Sequence, residues 1–119
     1  MQYLLLIYHD EAFEAAKPPA DQEALMGAYW KLEEALQAES GVRIAGEALY
    51  PVGTAKTVRI RDGKNITSDG PFAETKEQLG GFYLLDVENE AAALEWAAKI
   101  PSVYDGSVEV RQVMVFEQP

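Results

Sequence analysis

Among many charged residues, the leading candidates for acid–base chemistry in this chain are few and mostly close together. Asp69, Glu74 and Lys76 fall within eight positions of one another, and the chain holds a single histidine, His9. A carboxylate such as Asp69 serves as general base, or as acceptor for a ligand, when burial or a neighbouring acid raises its pKa. The competing role is to bond the backbone N–H groups of its own Asp69-Gly70-Pro71 turn. Glu74 is a candidate acid or base and Lys76 a candidate anion binder if their segment crosses a cleft; otherwise they are solvated charges whose ion pairs contribute little. His9 carries the side-chain type that changes charge near neutrality. It follows an apolar run, where a strand end commonly edges a cleft, or it is an ordinary loop histidine.

A second set is charged or aromatic within apolar surroundings. Glu47, Glu109 and Arg111 lie in otherwise apolar stretches, and such charges are costly to bury unpaired. They line a polar pocket or form salt bridges between strands or subunits. Tyr8, Phe72, Phe82 and Tyr83 wall an aromatic pocket or pack a core. Gly80-Gly81 permits close backbone approach, but no GxxxxGK[ST], GxGxxG or GxSxG pattern occurs. One histidine, no cysteine and carboxylates without ligand spacing give no metal site, and no cofactor motif is present.

These residues need a scaffold. Residues 2–8 are a short apolar run expected as a central strand. Residues 10–19 read as a loop ending in Pro18-Pro19. Residues 20–39 read as a helix, with Leu25, Tyr29, Leu32 and Leu36 in one stripe, Met26 and Trp30 widening it, and Glu33, Glu34 and Glu39 on the other side. Val42 to Tyr50 reads as a strand with Gly46 as a bulge or close-approach point. Residues 55–61 and 64–68 flank Asp62-Gly63, a strong hairpin signal. Residues 72–79 are short and mixed, and 81–87 read as an apolar strand. Asn89 caps a second helix with Ala93, Leu94, Ala97 and Ile100 inward. Val108 to Phe116 is the last strand.

That order is one α+β domain over residues 1–119, with a ferredoxin-like (split βαβ) frame, an inserted β-hairpin and both helices on one sheet face. Apolar residues on both faces of strands 2–8 and 82–87 call for a second subunit on the far face, hence a homodimer.

Bulk properties narrow the function classes. A net charge of −10 repels phosphate backbones and anionic lipid, so no nucleic-acid or membrane partner is expected. The absence of cysteine fits a reducing compartment. The N-terminal run lacks a basic flank, and acid follows it at once. The expectation is a cytoplasmic protein.

The stretch Asp69-Gly70-Pro71-Phe72-Ala73-Glu74-Thr75-Lys76-Glu77, followed by Gly80-Gly81-Phe82, closely resembles the DGPF family, a branch of the YCII-related proteins. The start Tyr3 to Tyr8, Gly46-Glu47-Ala48-Leu49, Thr57-Val58-Arg59, Ala93 to Ala97 and Gly106 to Arg111 are similar to that family too, so the resemblance spans nearly the whole chain. Gln112 stands where proline is expected. The resemblance implies a dimeric α/β barrel of ferredoxin-like subunits. It implies a His–Asp pair in a cleft, with Asp69 at the motif aspartate. It offers two functional expectations. The first is a lyase or isomerase, akin to a dehydrochlorinase, using Asp69 with His9 or Glu74 and binding a small molecule near the motif through Lys76, Glu47, Arg111, Tyr8 and Phe72. The alternative is a non-catalytic interaction or sensing protein linked to sigma-factor-dependent transcription.

Overall fold

A computed structural model of the chain describes residues 1–118. Its centre is β1 (Gln2–His9), which pairs antiparallel with β5 (Gln78–Asp86) on one side and with β6 (Ser107–Gln112) on the other. β2 (Arg43–Ala48) adds to the outer side of β5, giving the sheet order β2-β5-β1-β6. β1 and β2 therefore run parallel with β5 between them, the split βαβ arrangement of a ferredoxin-like α+β fold.

Period-2 alternation in β1 decides which face is packed. Tyr3, Leu5 and Ile7 are buried, whereas Leu4, Leu6 and Tyr8 are only half-buried on the opposite face. Two helices cover the first face. α2 (Pro19–Ala38) begins on tandem prolines, which suit a helix entrance, and contributes Leu32 and Leu36 to the core. α3 (Glu90–Ala98) is capped by Asn89, whose side chain accepts from the Ala92 N–H at 2.9 Å, and contributes Ala93 and Ala97. Tyr83, Leu85 and Ile100 complete the cluster.

The hairpin β3 (Lys56–Arg61) and β4 (Lys64–Asp69) forms a separate two-stranded sheet turned by Asp62 and Gly63, both at positive φ. Every residue of β4 is exposed. The arm stands off the body, and the molecule is flat, 52 × 49 × 18 Å, with a radius of gyration of 16.6 Å. A compact chain of this length would have about 13–14 Å.

Several elements differ from the reading of the sequence. The 10–19 segment holds a short helix, α1 (Glu11–Ala15), because the Asp10 carboxylate accepts from the Phe13 N–H at 3.0 Å and caps it. β5 starts three residues before Gly81. The bulge in β2 falls between Arg43 and Ala45 rather than at Gly46. Leu94 is 52% exposed, since the α3 stripe runs through Ala93, Ala97 and Ile100 and turns Leu94 about 100° away from it. β6 ends at Gln112, and Met114, Val115 and Phe116 lie exposed beyond it. No barrel closes within the chain: the described strands form one open four-stranded sheet and the hairpin. No described helix is long and apolar enough to cross a membrane.

Candidate functional site

A cavity of about 340 Å³ opens between α2 and the β2, β5 and β1 end of the sheet. It exists because sequence periodicity and the sheet's glycines act together. The alternation that buries Tyr3, Leu5 and Ile7 carries one step further to His9, beyond the packed core but on the same face. A register shift between Ile7 and Tyr8 against β5 leaves Gly80 at the bulge. A Cβ at Gly80 would lie 2.6 Å from His9 Nε2, so the imidazole occupies space that only glycine leaves free. Gly46 does the same for a second ring: a Cβ there would lie 2.7 Å from Tyr83 Cδ1. The floor of the cavity is thus glycine backbone crossed by an imidazole and a phenol.

The opposite wall is one side of α2. Leu25, Tyr29 and Glu33 recur at helical spacing, with Met26 and Trp30 beside them at the mouth. Met26 is 57% and Trp30 63% exposed, a large apolar display for a helix otherwise packed on a sheet. Glu33, expected on the solvent side, lines the cavity instead.

Polar groups converge at three points. The Tyr29 hydroxyl and the Ser102 hydroxyl share a hydrogen bond of 2.6 Å, with Ser102 buried in the 3₁₀ turn Pro101–Val103. Burial pushes the Tyr29 phenol up from its ordinary value, and the bond to Ser102 opposes part of that rise. Glu33 lies 3.0 Å from Arg43 Nε, while an Arg43 terminal nitrogen donates to the Gly46 carbonyl at 3.1 Å and the guanidinium stacks over the Tyr83 ring at 5.9 Å. The Glu33 contact is an ion pair without a well-aligned hydrogen bond, and Arg43 Nε remains a buried donor lacking one. Burial, and then the Glu33 carboxylate, push the Tyr83 phenol far up. His9 is the third point, its imidazole against Gly80; just beyond it the Glu11 N–H donates to Gln78 Oε1 at 2.9 Å, and the Glu11 carboxylate accepts from the Val52 N–H at 3.1 and 3.3 Å.

Of the residues singled out from sequence, His9, Glu47, Phe82 and Tyr83 line this cavity, Glu47 from the edge strand β2. Asp69 lies outside it, at the end of β4, where its carboxylate accepts from Lys56 Nζ rather than from its own turn. Its side chain is 87% exposed. Phe72, Glu74 and Lys76 are exposed along the segment between the hairpin and β5, and the Phe72 carbonyl accepts from Arg59. Tyr8, Glu109 and Arg111 are on the sheet face away from the helices. There the Tyr8 hydroxyl donates to Glu109 Oε1 at 3.3 Å, and loss of hydration together with that carboxylate raises the Tyr8 pKa. The structure does not bring Asp69, Glu74 or Lys76 to His9.

Tyr29, Ser102, Glu33, Arg43 and the two floor glycines were not marked as site residues by the sequence. The available signal was the stripe Tyr3, Leu5, Ile7, His9, which puts the imidazole on the helix-facing side. Among the described residues no three His, Cys, Asp or Glu side chains gather as a metal site would need.

Comparison with known proteins gives this fold its kinship. A family model described as the YCII-related domain matches residues 1–117. The chain belongs to the YCII-related family. An uncharacterized protein of Rhizobium meliloti (strain 1021) is 35% identical to this YCII-related chain over 119 residues, covering 98% of it and 95% of the relative. The glycine-floored cavity and its lone imidazole therefore sit in a family whose matched relative carries no assigned activity.

Proposed function

We propose that this YCII-related protein, which we place in the DGPF branch, binds a small molecule in the cavity between α2 and the sheet, and that His9 moves a proton there. The observation that carries the reading is the Nε2 end of His9 held against Gly80 at the wall of an apolar cavity. Pockets of this kind, mostly apolar with a few convergent polar groups, are the usual form of small-molecule sites. The chemistry that fits is lyase or isomerase chemistry. His9 takes a proton from a ligand carbon, and the Tyr29–Ser102 hydroxyl pair donates a hydrogen bond to an oxygen that gains charge. In an elimination the C–H electron pair forms the new double bond and the leaving group departs with its own pair.

The reading extends to a dimeric α/β barrel. Leu4, Leu6, Phe82 and Leu84 make an apolar patch on the sheet face that no helix covers, and none of them is fully buried in one subunit. A second copy laid sheet to sheet removes that patch from water. Such pairing would bring a partner's β3–β4 arm, with Asp69, Phe72, Glu74 and Lys76, alongside the first subunit.

The test is isotope exchange and binding. The wild-type protein is screened against small molecules bearing an acidic C–H in deuterated water, with His9→Gln alongside. The reading requires exchange or binding that His9→Gln abolishes while the circular dichroism spectrum stays unchanged. Equal behaviour of the two proteins for every ligand that binds would refute the role of His9.

A second reading, a non-catalytic interaction or sensing protein, rests on the hairpin arm. It displays Val58 at 60%, Ile60 at 65% and Ile66 at 45% exposure, and isolated two-stranded hairpins are marginally stable in water. Retention of a specific protein partner by the wild type, lost in Val58→Asp with Ile60→Asp and kept in His9→Gln, would favour it.

A further inference from the structure

The charges around the cavity narrow the ligand further than its shape does. No Lys or Arg is among the residues that line it; Glu33 supplies the carboxylate side chain there, because Glu47 is paired with Phe82, and Phe82 with Leu6, on the opposite sheet face. Arg43 does not enter. It stands at the edge of the floor on the same face, 3.0 Å from where a Gly46 Cβ would be, its guanidinium over the Tyr83 ring, one terminal nitrogen on the Gly46 carbonyl and Nε beside Glu33. Glu33 is in turn already matched by that guanidinium, so a cationic ligand would have to displace Arg43 from it. An anionic ligand finds no free counter-charge, since the Arg43 guanidinium is matched by Glu33. An ionised group buried without a partner is strongly disfavoured, and like charges nearby add to that. The remaining walls are the rings of Tyr29, Trp30 and Tyr83 and the apolar Ile7, Leu25 and Met26. Aromatic walls favour a ring through offset or edge-on contact. The hydrogen-bonding groups present include the Tyr29–Ser102 hydroxyl pair, His9 and Gln22, which serve a neutral polar substituent.

Resting on the proposed site, we infer that its ligand is an uncharged ring carrying one hydrogen-bonding substituent, and that the cavity discriminates against both anionic and cationic rings of the same shape. His9 is the one group able to overturn this, because an imidazolium would supply the missing cation.

Benzamide, benzoate and benzamidinium test the inference, since they share one ring and differ in charge. The reporter is Trp30. The other tryptophan, Trp96, lies on α3 outside the cavity with Lys99 Nζ 4.5 Å from its ring centroid, so Trp96→Phe leaves Trp30 as the sole emitter. In Trp96→Phe at neutral pH, benzamide is expected to change Trp30 emission saturably, with both charged probes at least about tenfold weaker. Leu25→Phe, which fills the cavity, abolishes the benzamide response; Met26→Trp, at a position 57% exposed and therefore safe for folding, narrows the mouth and weakens it as seen by ligand-detected NMR. Benzoate or benzamidinium binding as tightly as benzamide would overturn the charge assignment and leave the site standing. So would benzoate binding that strengthens on acidification and disappears in His9→Gln. No response to any of the three probes, or a benzamide response untouched by both cavity variants, would overturn the site itself and this inference with it.

Discussion

The two floor glycines give the sharpest test, because alanine at each meets a ring with a different freedom to move. At Gly80 the new Cβ would lie 2.6 Å from His9 Nε2 and 2.9 Å from Cε1, where ordinary contact begins near 3.4 Å, so the ring must retreat by about 0.8 Å. His9 is half-buried at a strand end, and its imidazole makes no hydrogen bond among the described residues, so a side-chain rotation suffices. Off-rotamer strain of about 0.5–1.5 kcal/mol sets the cost, and the lower chain entropy of alanine in the unfolded state returns about 0.4–1 kcal/mol. Gly80→Ala should change stability by less than about 1 kcal/mol while moving the imidazole out of place. At Gly46 the Cβ would lie 2.7 Å from Tyr83 Cδ1 and 3.0 Å from an Arg43 nitrogen. Tyr83 is only 7% exposed and hemmed in by the core, so the cost there is that of overpacking, about 1–3 kcal/mol. Urea denaturation followed by circular dichroism measures both, and the proton spectrum of the single imidazole reports its displacement. The reasoning fails if Gly80→Ala destabilises as much as Gly46→Ala, or if the His9 resonances in Gly80→Ala match the wild type. Gly106→Ala marks the severe end of the series, since its Cβ would fall 2.1 Å from the Tyr8 carbonyl oxygen, a backbone atom with nowhere to go; little or no folded protein is expected on expression.

Other outcomes follow from particular contacts. Leu5→Ala removes a side chain only 1% exposed at the centre of the sheet and should cost about 2–5 kcal/mol by urea denaturation. Asn89→Ala deletes the cap on α3 and should cost about 1 kcal/mol, read the same way. Burial raises the Tyr83 and Tyr29 phenols above the unfolded value of about 10, so the neutral form is favoured in the folded state. Their contribution to stability is complete below about pH 10 and is lost as pH rises from there toward the raised folded values. Denaturation between pH 8 and 11.5 should therefore show wild-type stability falling at the alkaline end, and a shallower fall in Tyr83→Phe. Val58→Asp with Ile60→Asp alters only exposed side chains, so monomer stability should hold within about 0.5 kcal/mol, while sedimentation would reveal any assembly that depends on the arm.

The linear chain determined a good deal about this protein. Strand and helix order, the Asn89 cap, the Asp62-Gly63 turn and the central place of β1 all follow from local propensity and period, which are properties of neighbours in sequence. The exposed hairpin was also legible, as a turn signal between two alternating strands. The site was not, because it depends on which distant residues meet. The Asp69–Lys76 motif looked chemical through its density of charge, yet the arm carries it away from the only imidazole, while α2 and the Pro101–Val103 turn bring Tyr29 and Ser102 to the cavity from positions 73 residues apart. Gly80 and Gly46 show the same division. The sequence marks them as places of close approach, but only the register of β1 on β5, and of β2 on β5, decides that an imidazole fills one space and a buried phenol the other. Strand register is a cooperative property of the packed sheet, and a shift of one residue would turn His9 to the opposite face.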